Sequence, residues 1–259
     1  MPASLVRSLL SLVVPPLCVA CREPELSGAP VCPECAGAME PIAACCRHCG
    51  APLPCAVDAC SECRGRPFSF RRAWAPFAYT GPAREVVLAL KGRGHAAGAR
   101  YMAAAIARRA PPGMLDGVLV PAPAHPERLR RQGHNQANAV AIALGRLTGL
   151  AVCDVLARRP GGRRQVGLER HARQANAEGW IVAGPAVQAG VPAVVVDDVY
   201  TTGATLDACA RALAAAGAGP VNGVCFARTV RRQACAGAMP GRPVASGEQR
   251  QEAQRTTRR

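Results

Sequence analysis

The chain has 259 residues, 49% hydrophobic and 19% charged, which is enough to bury a substantial core in one large domain or two small ones. Aromatic residues make up only 3%, so Ala, Val and Leu must fill most of that core, and no apolar run reaches the ~18 residues of a membrane-spanning helix. The net charge of +15 predicts attraction to polyanions such as nucleic acid, nucleotides or anionic lipid, without selecting among them.

In chain order, the first apolar stretch is Leu5 to Leu17, interrupted by Arg7 and closed by Pro15 and Pro16. It reads as a short helix leading into the first cysteine pair rather than as a signal peptide. Residues 1–66 are then dominated by Cys and Pro, and ten of the 14 cysteines lie between Cys18 and Cys63. They form four C-x2-C pairs: Cys18/Cys21, Cys32/Cys35, Cys46/Cys49 and Cys60/Cys63, with ten residues between successive pairs. A C-x2-C knuckle turns two thiolates and several backbone amides toward one point, and two knuckles complete a tetrahedral Zn²⁺ site. Eight ligands make two closed, structural sites, and metal binding would supply the folding free energy that so small a segment lacks. Equal gaps leave the pairing open, sequential or interleaved, and Cys45 competes with Cys46 as ligand. Cys153, Cys209 and Cys225 fall in apolar segments and are expected in the core.

Residues 67–230 alternate strand-like and helix-like patterns. Gly117–Val120, Ala193–Val196 and Val221–Phe226 read as buried strands, whereas Tyr101–Arg109, Gln136–Leu147 and Leu206–Ala216 carry helical spacing. Such alternation predicts an α/β fold with a mainly parallel sheet flanked by helices. Of the 32 basic residues 31 are Arg, and Lys91 is the exception. It is either a leftover surface residue or a position where a compact ammonium serves better than a planar guanidinium. Residues 231–259 lose the apolar pattern and read as a disordered basic tail.

The sharpest motif runs from Val194 to Thr205, a Val-Val-Val strand followed by Asp197, Asp198, Val199, Tyr200 and a Thr-Thr-Gly-Ala-Thr turn. Two carboxylates are delivered to the C-terminal end of a strand, where ligands of open α/β sheets bind. The hydroxyl-rich turn opening a helix makes an anion site, and acids beside a phosphate cradle suit the hydroxyls of a sugar phosphate.

This segment resembles the 5-phosphoribosyl-1-pyrophosphate (PRPP) motif of type I phosphoribosyltransferases. With the cysteine ladder, the chain to about residue 230 resembles the ComF family of competence proteins, which join a double zinc ribbon to a type I phosphoribosyltransferase domain. Tyr79-Thr80-Gly81, Leu90 to Gly94, the Val120 to Gln136 stretch with His125 and Arg128, and Gln165 with Leu168, Arg173 and Asn176 carry further likeness. Two positions depart from the pattern: Gln132 stands where an Arg is usual, beside Arg130 and Arg131, and His134 replaces an aromatic.

The resemblance implies that Asp197 and Asp198 bind the ribose hydroxyls of PRPP, and that Thr201, Thr202, Gly203, Ala204 and Thr205 hold its 5′-phosphate. It puts Lys91 in a pyrophosphate loop, where an ammonium would neutralise charge on the departing group, and Arg128, Gln165 and Arg173 in a flap. It further implies Mg²⁺ with PRPP, a cytoplasmic location, and an association with DNA uptake through single-stranded DNA or the uptake machinery. Thr201 stands where purine phosphoribosyltransferases commonly carry an Asp, which disfavours purine salvage. Two other functions stay open: a transferase acting on an unidentified amine or base, and a non-catalytic PRPP-sensing adaptor.

Overall fold

The computed structural model describes residues 16–90, 95–159 and 181–230. The terminal stretches, including Leu5 to Pro15 and the basic tail, lie outside it, as do Lys91 and the segment with Gln165, Leu168, Arg173 and Asn176.

The N-terminal region is built from two copies of one turn. Cys18 N donates to Glu23 O and Arg22 N to Cys18 O; in the second copy Cys46 N donates to Ala51 O and Gly50 N to Cys46 O. Each copy ends on a second knuckle, the first of which opens the short helix α1 (Pro33–Gly37) with Cys32 as its cap. Residues between the copies run along the edge of the main sheet: Pro41 bridges Phe77, Ile42 N donates to Pro76 O and Ala78 N to Glu40 O. These bonds close a row of peptide groups that would otherwise be exposed.

The main sheet contains β1 (Arg72–Trp74), β2 (Phe77–Ala78), β3 (Val118–Pro121), β6 (Ala193–Tyr200) and β7 (Val221–Arg228). All pairings are parallel, in the order β1-β7-β6-β3, with β2 continuing β1 along β7. A separate antiparallel pair joins β4 (Leu156–Arg158) to β5 (Ile181–Ala183). The expected α/β architecture is therefore present. Because both faces are covered, β6 is apolar on both: Val194 and Val196 face one core, Val195 the other. The first core is packed by α2 (Gly81–Ala89), α3 (His95–Arg109) and α5 (Gln136–Thr148), through Val86, Met102, Ile106, Val140 and Leu144. Opposite them lies α6 (Ala204–Ala215), with Leu206, Cys209, Ala210 and Leu213. The small residues expected from composition let these layers approach closely.

Three expectations need adjustment. β6 and β7 each run past the apolar stretch, to Tyr200 and Arg228, because their mutual ladder continues after the valines end. α3 begins at His95 rather than Tyr101, since Ala96 to Arg100 include no large apolar residue to mark the helical period. Cys209 and Cys225 are fully buried, but Cys153 is half-exposed beside the edge strand β3.

Candidate functional site

The cysteines settle into two clusters, Cys18/Cys21/Cys32/Cys35 and Cys46/Cys49/Cys60/Cys63, each with its sulfurs within 4.8 Å of one another. The grouping is sequential, and Cys46, not Cys45, belongs to the second cluster. Sulfur separations of 3.6 Å for Cys46–Cys63 and Cys49–Cys60 and 3.9 Å for Cys21–Cys32 match the about 3.8 Å edge of a tetrahedron with ~2.3 Å Zn–S bonds. They are far longer than the ~2.05 Å of a disulfide. The Cys49 thiol and the backbone amides of Cys49, His48 and Cys60 hold Cys46 down to about 4, while Cys49, donating that bond and buried, is pushed up. In the first cluster burial raises Cys18, but the amides of Cys32, Cys21 and Ala20 outweigh it and bring the thiol to about 7. Both donor sets fit structural zinc. The second is buried at all four ligands, whereas Cys21 of the first is exposed.

The second site lies at the C-terminal end of the sheet. β3 stops at Pro121 opposite Val196, and Ala122 N donates to Val196 O at 2.9 Å. Beyond that point β6 has no neighbour on this side, so Asp197 and Asp198 enter a cavity of about 770 Å³. Its wall includes Pro123, His125, Glu127 and Arg128 from the start of α4 (Pro126–Gln132), Asn135 to Ala137 from α5, and Tyr79, Val87, Arg158, Thr201 and Thr205.

Local bonds fix this geometry. Asp197 Oδ1 accepts from Asp198 N at 2.9 Å, and Asp198 Oδ1 accepts from Val199 N at 2.8 Å, leaving each carboxylate a further oxygen. Asn135 caps α5 by accepting from Ala137 N and also donates to Ala122 O, which ties the helix start to the end of β3. His125 Nδ1 accepts from Glu127 N and caps α4, while Arg158 Nε donates to Pro123 O at 2.9 Å. His134 lies elsewhere, its Nε2 3.2 Å from the Leu90 carbonyl. Of the two arginines beside Gln132, Arg131 lines the cavity.

The turn into α6 is set by Gly203, whose φ of +81° disfavours a side chain. An added Cβ would also collide with the Tyr200 hydroxyl, so only glycine fits. The first amides of α6 have no intrahelical acceptors, and a twelve-residue helix adds its dipole, so an oxyanion is favoured there. Thr201 and Thr205 line the cavity; Thr202, Gly203 and Ala204, between them in the chain, do not, and Thr202 Oγ1 accepts from Ala204 N.

Burial, and then the charge of Asp198, push the Asp197 carboxyl well above the usual carboxylate range; Arg128 acts in the opposite sense. The site therefore joins paired hydrogen-bond acceptors, a hydroxyl-bearing turn at a helix N-terminus and a wall carrying Arg128, Arg131 and Arg158. Arg158 carried no local sequence signal, because it reaches the cavity from the separate β4–β5 pair.

Fold and site define an α/β protein whose strand–turn–helix segment sets twin carboxylates beside a helix N-terminus, attached to two four-cysteine clusters. No family model matches the chain. It is 31% identical over 227 residues to the DNA utilization protein YhgH of Salmonella typhimurium, covering 85% of this chain and 100% of that protein. The counterpart from Salmonella typhi matches at the same identity and coverage. The chain thus belongs to the family of the DNA utilization protein YhgH. Among solved structures, about half the chain is similar to a glutamine PRPP amidotransferase from B. subtilis complexed with ADP and GMP, at 19% identity, 49% coverage and a TM-score of 0.35. An allosteric regulatory enzyme of purine biosynthesis matches at 20% identity, 49% coverage and a TM-score of 0.32. The aligned part spans 25% of each of those chains.

Among the described residues, no helix is long and apolar enough to cross a membrane.

Proposed function

We propose that this chain is a ComF-type protein that binds PRPP through a phosphoribosyltransferase fold and acts in the cytoplasm in the uptake or use of DNA. One observation carries the reading: Asp197, Asp198, Thr201 and Thr205 share one cavity with Arg128, Arg131 and Arg158. The carboxylates accept hydrogen bonds from vicinal ribose hydroxyls, the 201–205 turn takes the 5′-phosphate, and Arg128 with Lys91 answers the pyrophosphate charge. Mg²⁺ accompanying PRPP supplies charge neutralisation at the phosphate oxygens, and the hard oxygen donors of Asp197 and Asp198 suit that ion. The link to DNA rests on the name of the Salmonella relatives and on the +15 charge.

Calorimetry with PRPP and Mg²⁺ tests the site. Wild-type protein should release heat that the Asp197→Asn/Asp198→Asn variant does not, and equal heats from both would remove the sugar-phosphate site. A DNA role predicts single-strand affinity that falls with salt, by roughly 0.7 log units per decade for each phosphate neutralised; a flat response would exclude it.

A second reading, a true phosphoribosyl transferase, is favoured by the uncharged Tyr79 and Val87 in the same wall, which offer a surface for an acceptor. Pyrophosphate release across a panel of bases and amines separates it from a PRPP sensor, for which every acceptor would be silent.

A further inference from the structure

The second four-cysteine cluster and the phosphate turn are joined through one buried side chain. Arg228 ends β7 and pairs with Tyr200, the last residue of β6. Its guanidinium carbon lies 3.9 Å above the centre of the Tyr200 ring. One Nη donates to the carbonyl of Cys49, and the other lies 2.7 Å from Glu62 Oε2. Cys49 is a ligand of the second cluster, and Glu62 sits between its ligands Cys60 and Cys63. The Arg228 side chain is 3% exposed, and its Nε has no hydrogen-bond partner among the described residues. Such a charge is held in place only by the partners it has.

The hydroxyl of the same Tyr200 ring occupies the space beside Gly203 that a Cβ would need. A second arm runs from the end of the same ribbon: Arg66 Nη2 donates to Thr202 O at 3.3 Å and its guanidinium covers Phe68. Phe68 stacks on Phe70 at 4.6 Å and touches His48, which lies between Cys46 and Cys49. Thr229, next to Arg228, donates from its N to Tyr200 O and from its hydroxyl to Thr201 O. The first cluster takes a different place, packing through Val31 and Met39 in the core with α2 and α3.

We infer that Arg228 is a positioning residue that couples metal occupancy of the Cys46/Cys49/Cys60/Cys63 cluster to the shape of the 200–205 turn, and hence to anion binding there. With metal bound, the knuckles hold the Cys49 carbonyl and Glu62 in place, Arg228 stays over Tyr200, and the ring braces Gly203. Loss of that metal unfolds the knuckles, which have too little core to stand alone. Arg228 then loses both partners and leaves the ring. Coupling of this kind is reciprocal: a ligand that orders the turn must strengthen metal binding at the second cluster and leave the first unchanged. The ligand half of this inference rests on the PRPP reading; the metal-to-turn half does not.

Hydrogen exchange of the 200–205 amides in full-length zinc-loaded protein tests the metal-to-turn half without any ligand. Exchange should speed up about tenfold or more in Arg228→Lys and in Cys60→Ser, and stay at the wild-type rate in Cys21→Ser, which affects only the first cluster. Glu62→Gln, which removes one partner and leaves every ligand, serves if Cys60→Ser does not fold. A wild-type rate in Arg228→Lys and Glu62→Gln overturns the inference. Zinc release to a chelator, with and without PRPP and Mg²⁺, tests the reciprocal half. PRPP should slow the phase that survives in Cys21→Ser, and this protection should vanish in Arg228→Lys even though its zinc content is normal. If wild-type protein shows no PRPP heat, the sugar-phosphate reading fails while the exchange result still stands; if it binds PRPP with no effect on either zinc phase, the coupling fails alone.

Discussion

Arg22 and Gly50 occupy the same place in the two copies of the knuckle turn, each donating its amide to the carbonyl of the first cysteine, with φ of +67° and +72°. Glycine meets that conformation without strain, whereas an L side chain costs about 1–2 kcal/mol there. The copies are not interchangeable, because a Cβ on Gly50 would fall 2.6 Å from the Ala73 carbonyl.

Arg22→Gly should therefore stabilise the first cluster by up to about 1 kcal/mol, after the greater unfolded-state freedom of glycine is subtracted. Slower zinc release from the first cluster would report this. Faster release would mean that the Arg22 side chain supplies more than its backbone strain removes.

Metal analysis should find two zinc ions per chain. Cys46→Ser should lose one, because all four ligands of the second cluster are buried and closed around the site. Cys45→Ser and Cys55→Ser should keep both, since neither sulfur belongs to a cluster. Loss of zinc from Cys45→Ser would reverse the ligand assignment.

Asp197 sets a pH dependence. Its folded-state affinity for a proton is raised by burial and by Asp198. The folded form thus binds its proton more tightly than the unfolded chain, and this contribution is complete below the ordinary value near ~4 and is lost as pH rises through the folded value. Asp197→Asn removes the loss. The ligand-free variant should melt higher than wild type at pH 8, the two converging near pH 4, while sugar-phosphate binding is abolished. A variant that melts lower at pH 8 would show that Asp197 is stabilised as the anion.

Gly203→Ala should lower stability by at least about 1 kcal/mol, since the new methyl group meets both the left-handed backbone and the Tyr200 hydroxyl. Anion binding should fall with it. Unchanged melting and unchanged PRPP heat would mean that the turn is not fixed by this glycine.

Much of the site is legible in the sequence because its parts are contiguous. Val194 to Thr205 encodes strand, acids, turn and helix start within twelve residues, and the structure brings Asp197, Asp198, Thr201 and Thr205 to one cavity. The zinc pairing is not legible, as every gap between knuckles is ten residues. What distinguishes the gaps is tertiary: residues 40–42 pair with the sheet edge, whereas 23–24 and 51–52 turn back on their own knuckles. Arg158 and Arg228 were equally hidden, because their partners lie 35 and up to 179 positions away in the chain. Lys91, the one basic residue singled out by its type, falls outside the described residues.

The antiparallel contact of Glu40 to Ile42 with Pro76 to Ala78 ties the metal-binding segment to the folding of the remainder. A chain begun after residue 66 would leave the Pro76 carbonyl and the Ala78 amide bare on either side of Phe77, inviting a second molecule to add its own strand. Self-association, rather than a tidy free domain, is what such a truncation should yield.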